Sequence, residues 1–344
     1  MKYEPIVGEY KIRADANESF INPLDYLKDE ILSVCEKLEF NRYPNPDYKN
    51  LVSAFAEYLD IDENEIVAFN GSDESLSVLI NAFTQNNDKV LCFDPDFSMY
   101  QIYFEENKTN LIKLPKKDGL YIDFDAALKL INEDQIKLCI FSNPCNPTSV
   151  GEKRDVIIDF IGKAREKDCI VVVDEAYMNF WNQSVSKEVD RFDNLIVLKT
   201  CSKAMGMAAL RVGFSISDKN LATKLRNFKS PYNISTPDTE FATLILRRHD
   251  IIDMITEKIK SSNQSLLSQL KKLDGRDFKV VDSDTNFVYI KTNRADDLDD
   301  FLRKNNISIR KFDKAVRITC CKEEDNLEII EKIKEFLGGE NENG

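Results

Sequence analysis

Asp174, Tyr177 and Lys203 are side chains suited to acid–base or nucleophilic chemistry, and each lies shortly after a run of apolar residues. Residues 170–173 lead into Asp174 and Tyr177, and residues 195–198 lead towards Lys203, whose neighbours are small or apolar. Burial among such neighbours lowers the pKa of a lysine, and its free amine can then form an imine with an aldehyde. A single lysine is more often a solvated surface charge, and Asp174 alone could equally well cap a turn.

Three further segments carry polar groups suited to ligand binding. The loop after residues 137–141 contains two Asn-Pro pairs, and Asn146 in this loop can present its amide to a ligand. Ser72 and Asp73 stand at the predicted start of a helix, where free backbone N–H groups can hold a phosphate; plain capping of that helix by Ser72 is a compatible alternative. Arg211 follows Lys203 by eight residues and adds a cation to this set.

The elements that position these residues are predicted to form a mostly parallel sheet. Between residues 65 and 217, short apolar runs alternate with helical patterns, and several runs are apolar on both faces. In such open sheets, ligands bind beyond the carboxyl ends of the strands. The predicted strands are residues 66–69, 89–93, 111–114, 137–141, 170–173, 195–198 and 212–216, and one covering helix is predicted over residues 72–85.

A second, smaller α+β unit is predicted after about residue 270. A helix over residues 249–273 should bridge the two units. We expect a large cofactor-binding domain over residues 38–250, with residues 1–37 and 251–344 forming an amino-terminal arm and the small domain. The small unit is predicted to contain strands at 285–290, 307–311 and 316–320, and helices at 295–304 and 325–337.

Composition excludes several classes of function. The 344 residues include 47 Lys and Arg against 60 Asp and Glu, and the net charge of -13 disfavours nucleic-acid binding. No apolar run approaches the length of a membrane helix, and the charged start is unlike a signal peptide, so we expect a cytoplasmic protein. Eight cysteines without a CxxC pair, and a single histidine, predict neither a metal site nor a disulfide framework.

Two features invite a chemical role that their context disfavours. Cys320 and Cys321 are adjacent, as in some redox switches, but neighbouring residues of a strand point to opposite faces, which favours buried thiols. His249 is flanked by Arg248 and Asp250, and this setting favours a solvated helix end over a catalytic role.

Taken together, these motifs resemble the aspartate aminotransferase superfamily of pyridoxal phosphate enzymes, and within it the histidinol-phosphate aminotransferase family. The resemblance covers about residues 12–337 and implies fold type I, a large domain with a mostly parallel seven-stranded sheet plus a smaller α+β domain. It is carried by DANES (15–19), NRYPNP (41–46), GSDE (71–74), DPDFSMY (94–100), SNPCNPT (142–148), VVVDEAY (171–177), TCSKAMGMAALRVGF (200–214) and VRIT (316–319).

The resemblance implies a role for each matching residue. Lys203 would form the imine with pyridoxal phosphate, Asp174 would partner the pyridine nitrogen, and Tyr177 and Asn146 would bond the phenolic oxygen of the ring. Phe97 would stack on the ring. The other implied cofactor contacts, all to the phosphate, are Ser72, Asp73, Thr200, Ser202, Arg211 and, from a second subunit, Tyr43, and the implied substrate-binding residues are Arg317, Arg310 and Asn17.

The implied activity is a transaminase of histidine biosynthesis that converts histidinol phosphate and 2-oxoglutarate to imidazole acetol phosphate and glutamate. The implied assembly is a homodimer, because Tyr43 would complete the neighbouring site. Within the same family, a phospho-amino-acid decarboxylase or an aromatic aminotransferase stays open. Two departures from the family pattern are Ser149, where glycine is usual, and Ser19-Phe20, where Asn-Pro is common.

Two rivals from other classes are weaker. A nucleotide-binding dehydrogenase would fit the alternating α/β pattern, but no G-x-G-x-x-G follows an early strand. A non-catalytic cofactor sensor would tend to lose the lysine or to carry an added DNA-binding segment, and neither is seen in the sequence.

Overall fold

The computed structural model describes residue 6 and residues 8–338, and its centre is a seven-stranded sheet. The strand order is β2-β8-β7-β6-β5-β3-β4, and all neighbours are parallel except β8, which is antiparallel to both β2 and β7. The strands are β1 (Ile12–Ala14), β2 (Ile66–Asn70), β3 (Lys89–Asp94), β4 (Asn110–Pro115), β5 (Leu138–Ser142), β6 (Ile170–Asp174), β7 (Leu195–Thr200), β8 (Val212–Ser217), β9 (Lys279–Val280), β10 (Phe287–Lys291), β11 (Ile307–Phe312) and β12 (Ala315–Thr319).

Helices cover both faces of this sheet, which explains why its central strands are apolar on both sides. The residues of β5 are all buried, as are nearly all those of β6 and β7. The helices are α1 (Lys28–Cys35), α2 (Lys49–Leu59), α3 (Gly71–Phe83), α4 (Met99–Glu106), α5 (Phe124–Asp134), α6 (Arg154–Arg165), α7 (Lys219–Phe228), α8 (Thr236–Leu246), α9 (His249–Lys271), α10 (Ala295–Lys304) and α11 (Glu323–Gly338). The predicted α/β fold and all seven predicted strands are confirmed.

The start of α3 differs from the prediction in a way that matters for ligand binding. The helix begins at Gly71, so Ser72 lies inside the first turn and does not cap it. Asn70 occupies the cap position without a side-chain bond to the first turn. The alternative that Ser72 caps the helix was therefore wrong, and the N–H groups of the first turn lie at a helix end without a side-chain cap.

A second sheet of five strands, in the order β1-β11-β12-β10-β9, forms the smaller unit. Strand β1 comes from the amino-terminal arm and runs parallel to β11, pairing Ile12 with Ile307. The sequence did not predict this strand, because three residues show too little periodicity to identify. The predicted helices and the three predicted strands of this unit are present, with ends shifted by up to two residues.

Helix α9 packs against both units, as predicted: its neighbours include α8 on one side and α11 with β10 on the other.

Strand β12 ends at Thr319, so Cys320 and Cys321 follow the strand. The prediction that both cysteines lie within this strand was therefore wrong. Both thiols are free and buried, and burial raises the pKa of Cys321 to about 12, so neither is poised as a thiolate. His249 begins α9, half-buried, with its ring edge-on to Tyr58.

Among the described residues, no helix is both long enough and apolar enough to cross a membrane. The same part of the chain contains no group of His, Cys, Asp or Glu side chains arranged to hold a metal ion.

Candidate active site

A cavity of about 440 Å³ opens at the carboxyl ends of the parallel strands, where it meets the arm and the second sheet. Every site residue predicted above, except Tyr43, lines it. The predicted residues in the wall are Asn17, Ser72, Asp73, Phe97, Asn146, Asp174, Tyr177, Thr200, Ser202, Lys203, Arg211, Arg310 and Arg317. Residues spread over three hundred positions of sequence therefore share one pocket.

Asp174 forms one end of the cavity, at the last position of β6. Its carboxylate accepts a hydrogen bond from the Tyr100 hydroxyl at 2.8 Å and another from the Ala176 backbone N–H at 3.1 Å. Burial raises the pKa of Asp174 from its usual 3.8 to about 6, against the lowering effect of these two bonds. The site therefore holds a carboxylate that would be stabilised by a cationic or protonated partner.

Lys203 lies in the loop after β7, with its ammonium 3.0 Å from the Ala16 carbonyl oxygen, to which it donates. Desolvation lowers the pKa of Lys203 from 10.5 to about 8, and the nearby positive charges of Arg317 and Arg211 lower it further, against Glu18. An amine with this pKa is free in about a tenth of molecules at pH 7, far more than an ordinary lysine. The lysine thus has the property that the sequence predicted for it.

The other end of the cavity gathers donors suited to an anion. Arg211 donates to Asp73 at 3.2 Å and reaches Ser202 at 3.5 Å, beside the first turn of α3. The Thr200 and Ser202 hydroxyls are 3.0 Å apart. A Cβ added to Gly213 would come within 2.8 Å of the Ser72 nitrogen, so only glycine lets β8 approach the start of α3 this closely.

Arg211 adopts a left-handed backbone conformation, with φ of 51°. This conformation is rare for residues other than glycine and asparagine, and such strain is concentrated at functional sites. Arg211 follows a 3-10 turn over residues 208–210 and immediately precedes β8. The position of Arg211 is thus fixed by local backbone geometry as well as by its ion pair.

The arm and the second sheet close the cavity through a continuous hydrogen-bond network. The Asn17 side chain donates to the Tyr177 hydroxyl at 2.9 Å and accepts from Thr319 at 3.0 Å. Arg317 donates to the Asn146 side-chain oxygen at 2.5 Å and also to the Asp15 carbonyl. Both predicted substrate-binding elements, the arm and β12, are therefore tied directly to residues of the large sheet.

Arg310 and Arg317 face each other across two antiparallel strands, because they are paired positions of β11 and β12. Both line the cavity. A guanidinium group binds carboxylates and phosphates in a bidentate manner, so this wall is suited to a negatively charged ligand group.

Phe97 and Tyr43 occupy contrasting positions. Phe97 lines the cavity with its ring edge-on to Tyr100, the centroids being 5.5 Å apart. Tyr43 lies outside the cavity of its own chain, 83% exposed, and stacks on Tyr232 at 4.9 Å. This placement leaves Tyr43 available for contacts beyond its own subunit.

Sequence reasoning missed Glu18, Asp96 and Phe312, which line the cavity. It also missed Tyr100, which is buried behind the wall and bonds to Asp174. Tyr100 lies within the quoted DPDFSMY segment, four positions after Asp96 and near the start of α4. Helical spacing alone could have placed both near Phe97, but nothing in the sequence pairs Tyr100 with Asp174. That contact depends on how α4 packs against the end of β6.

The departure at Ser149 has a structural counterpart. Ser149 adopts φ of 66°, the left-handed region in which glycine is favoured. Its hydroxyl donates to the Asp282 carbonyl at 2.8 Å, and its own carbonyl accepts from the Asp284 N–H at 2.8 Å. These bonds connect the Asn-Pro loop to the segment before β10 and offset the strain of a serine at this position.

Comparisons with known proteins agree with this geometry. Residues 12–333 match the family model described as aminotransferase class I and II. A histidinol-phosphate aminotransferase of Clostridium novyi (strain NT) is 38% identical over 96% of this chain and 93% of its own length. A crystal structure of histidinol-phosphate aminotransferase from Sinorhizobium meliloti in complex with pyridoxal-5'-phosphate has a TM-score of 0.86 at 20% identity and covers 95% of this chain and 92% of its own. The crystal structure of the histidinol-phosphate aminotransferase from Clostridium acetobutylicum has a TM-score of 0.85 at 23% identity, and it covers 95% of this chain and 99% of its own.

Proposed function

The chain belongs to the class I and II aminotransferases, and from this premise we propose that it is a histidinol-phosphate aminotransferase dependent on pyridoxal phosphate. The reaction would transfer the amino group of histidinol phosphate to 2-oxoglutarate and yield imidazole acetol phosphate and glutamate. The observation that carries the proposal is the 38% identity to the Clostridium novyi enzyme over nearly the whole chain. The cavity adds independent support, because its residues have the chemistry that this reaction requires.

The residues of the cavity fit pyridoxal phosphate at both ends. Asp174 offers a buried carboxylate for the ring nitrogen, and Arg211 with Ser202 and the first turn of α3 offers donors for the phosphate. Lys203 lines the same cavity with an amine able to react with an aldehyde. When bound, pyridoxal phosphate supplies that aldehyde and a ring that accepts electrons from the substrate's α-carbon.

We assign proton transfer to Lys203. With the amino donor held in the cavity, the free amine of Lys203 would take the proton from the donor's α-carbon. A base works best with a pKa near the working pH, and about 8 meets that condition. Proton transfer of this kind contributes roughly 10²- to 10⁴-fold in rate.

Asp174, Tyr177 and Asn146 would tune the ring. A carboxylate beside the ring nitrogen keeps that nitrogen protonated, and burial without another cation makes Asp174 favour such a partner strongly. Burial also raises the pKa of Tyr177 to about 12, so its hydroxyl keeps its proton and can donate to the phenolic oxygen. Asn146 uses its oxygen on Arg317, which leaves its amide N–H groups as donors.

Arg317 and Arg310 would bind the anionic group of the substrate. Their cross-strand pairing presents two guanidinium groups on one wall, an arrangement suited to a phosphate or a carboxylate. Asn17, held between Tyr177 and Thr319, would contact the substrate from the arm. These assignments account for a donor that carries a phosphate as well as for the 2-oxo acid that follows it into the same site.

We further propose a cytoplasmic homodimer in which Tyr43 contacts the cofactor phosphate of the neighbouring subunit. Support comes from the position of Tyr43, which is 83% exposed and lies outside the cavity of its own chain. The proposed domain division is residues 38–250 for the large domain, with residues 1–37 and 251–344 forming the arm and small domain.

Amino-donor profiling tests the function. Purified protein with pyridoxal phosphate and 2-oxoglutarate is given histidinol phosphate, phosphothreonine or phenylalanine, and both glutamate and carbon dioxide are measured. We expect glutamate formation to be fastest by at least tenfold with histidinol phosphate. Carbon dioxide from phosphothreonine would instead identify a decarboxylase, and preference for phenylalanine would identify an aromatic aminotransferase.

A further inference from the structure

A buried ion pair joins the cavity wall to the residue behind it: Asp96 lines the cavity, and Lys116 does not. The Lys116 ammonium is 3.2 Å from the Asp96 carboxylate, and the two side chains are only 1% and 2% exposed. The same ammonium is 2.9 Å from the Cys145 sulfur. A charged pair this deeply buried is expensive to desolvate, so its presence calls for a reason beyond stability.

The pair connects three neighbouring strand ends. Asp96 follows β3, Lys116 follows β4, and Cys145 lies in the Asn-Pro loop that follows β5. Because β3 lies between β4 and β5, Lys116 reaches across the Asp96 loop to the Asn-Pro loop. One side chain therefore contacts both loops that carry predicted cofactor contacts, Phe97 in the first and Asn146 in the second.

The Asp96 carboxylate bonds directly to these loops. It accepts from the Phe97 backbone N–H at 2.8 Å and from both the backbone N–H and the hydroxyl of Ser142. The Ser142 hydroxyl in turn accepts from the Asn146 backbone N–H at 3.1 Å. The Asp96 carboxylate thus holds the backbone of Phe97 directly and that of Asn146 through Ser142.

Lys116 makes this arrangement tolerable. Asp96 lies near a second buried carboxylate, Asp174, and the negative charge of Asp96 adds to the rise in the pKa of Asp174. Without the ammonium, two carboxylates would face each other at low dielectric. Lys116 compensates the charge while leaving the oxygens of Asp96 free to bond to the two loops.

We propose that Asp96 and Lys116 are positioning residues that hold Phe97 and Asn146 in the geometry needed to bind the pyridoxal phosphate ring. The inference rests on the proposed function, because it concerns the same cofactor. Lys116 does not line the cavity, and the Asp96 carboxylate is engaged by Phe97, Ser142 and Lys116, so each acts through the two loops.

The test combines cofactor affinity with a spectroscopic measure of ring geometry. Lys116→Met leaves the Asp96 carboxylate unpaired, and we expect cofactor binding to weaken on the order of tenfold. The visible circular dichroism per bound cofactor should also change, because it reports the asymmetric surroundings of the ring. Adding Asp96→Asn should restore most of both signals, since the amide oxygen of Asn can still accept from Phe97 and Ser142 without a charge.

Lys199→Met is the matched control. It breaks another buried ion pair, to Glu175 at 2.6 Å, with side chains 8% and 0% exposed. That pair does not bond to either loop, so we expect a loss of unfolding free energy with unchanged dichroism per bound cofactor. Equal destabilisation by Lys116→Met and Lys199→Met, both with unchanged dichroism, would overturn the inference, as would a double variant no better than Lys116→Met.

A milder variant keeps the test decisive if Lys116→Met does not fold. Cys145→Val removes the contact of Lys116 to the Asn-Pro loop but leaves the Lys116–Asp96 ion pair intact. We expect a few-fold loss of affinity for pyridoxal phosphate and an altered dichroism per bound cofactor. Cys145→Ser should behave as wild type. Unchanged affinity and dichroism in Cys145→Val would contradict the inference. Failure of the wild-type protein to bind pyridoxal phosphate would instead refute the proposed function.

Discussion

The pKa of Asp174 predicts that ionisation of this buried carboxyl destabilises the folded wild-type protein at neutral pH when no cofactor is bound. Burial holds this pKa at about 6 in the folded state, against an ordinary 3.8. Below pH 3.8 both states are protonated and the folded protein carries no penalty. As the pH rises towards 6, the unfolded state loses its proton first, so unfolding becomes progressively easier.

The size of the effect follows from the difference between the two pKa values. A difference of about two pKa units lowers the unfolding free energy by about 3 kcal/mol once the pH exceeds 6. The penalty should be about 1 kcal/mol at pH 4.5 and about 3 kcal/mol at pH 7.5. Asp174→Asn cannot ionise, so its stability relative to wild type should rise by about 2 kcal/mol across this interval.

Urea unfolding of the two proteins without cofactor at pH 4.5, 6 and 7.5 measures this difference. Asn also changes the hydrogen bonds to Tyr100 and Ala176, but that offset does not depend on pH, so the slope is the informative quantity. Asp159→Asn, on the exposed face of α6, controls for the loss of one negative charge. A difference between wild type and Asp174→Asn that is flat from pH 4.5 to 7.5 would refute the reasoning.

Further predictions concern other residues in and around the cavity. Borohydride should bleach the visible band of the protein with cofactor and fix the cofactor to Lys203, and Lys203→Ala should lose turnover while retaining weak cofactor binding; a fixed cofactor on another lysine would contradict the assignment. Mixing Tyr43→Phe with Lys203→Ala subunits should yield hybrid dimers with one intact site, whereas a fully active monomer would exclude that arrangement. Arg317→Ala should raise KM for anionic donors about ten- to a hundred-fold, by loss of about 1.5 to 3 kcal/mol, and unchanged KM for all of them would show that Arg317 does not bind substrate. Tyr100→Phe should lower kcat more than it weakens donor binding, measured by single-turnover kinetics, because it removes a bond that fixes Asp174.

The large sheet could be predicted from sequence because its strands are buried on both faces. Continuous apolar runs such as residues 170–173 leave little ambiguity, and the loops after them contain the polar residues of the cavity. The roles of Asp174 and Lys203 depended on the resemblance, because an isolated acid or lysine has several ordinary explanations. Their shifted pKa values come from burial by distant parts of the chain, which no local pattern encodes.

The residues that sequence reasoning missed act through tertiary contacts. Tyr100 would have been taken for a core aromatic of α4, and its hydroxyl gains a role only because Asp174 ends the strand beside it. Lys116 follows an edge strand in a run of lysines, a pattern typical of a solvated surface, yet it is almost completely buried. Its partner lies in another loop, so only the folded arrangement of β3, β4 and β5 reveals the pair.

The pairing of β1 with β11 orders events during synthesis of the chain. Because a chain is synthesised from its amino end, Ile12 leaves the ribosome long before its partner Ile307. The large sheet can assemble before β1 finds its partner, because all seven strands of that sheet lie within residues 66–217. The carbonyl of Ala16 that receives the Lys203 ammonium reaches its place only when β1 docks. Lys203 would therefore acquire its final environment only after β11 has been synthesised, and a chain terminated before β11 would hold a formed large sheet with an open cavity.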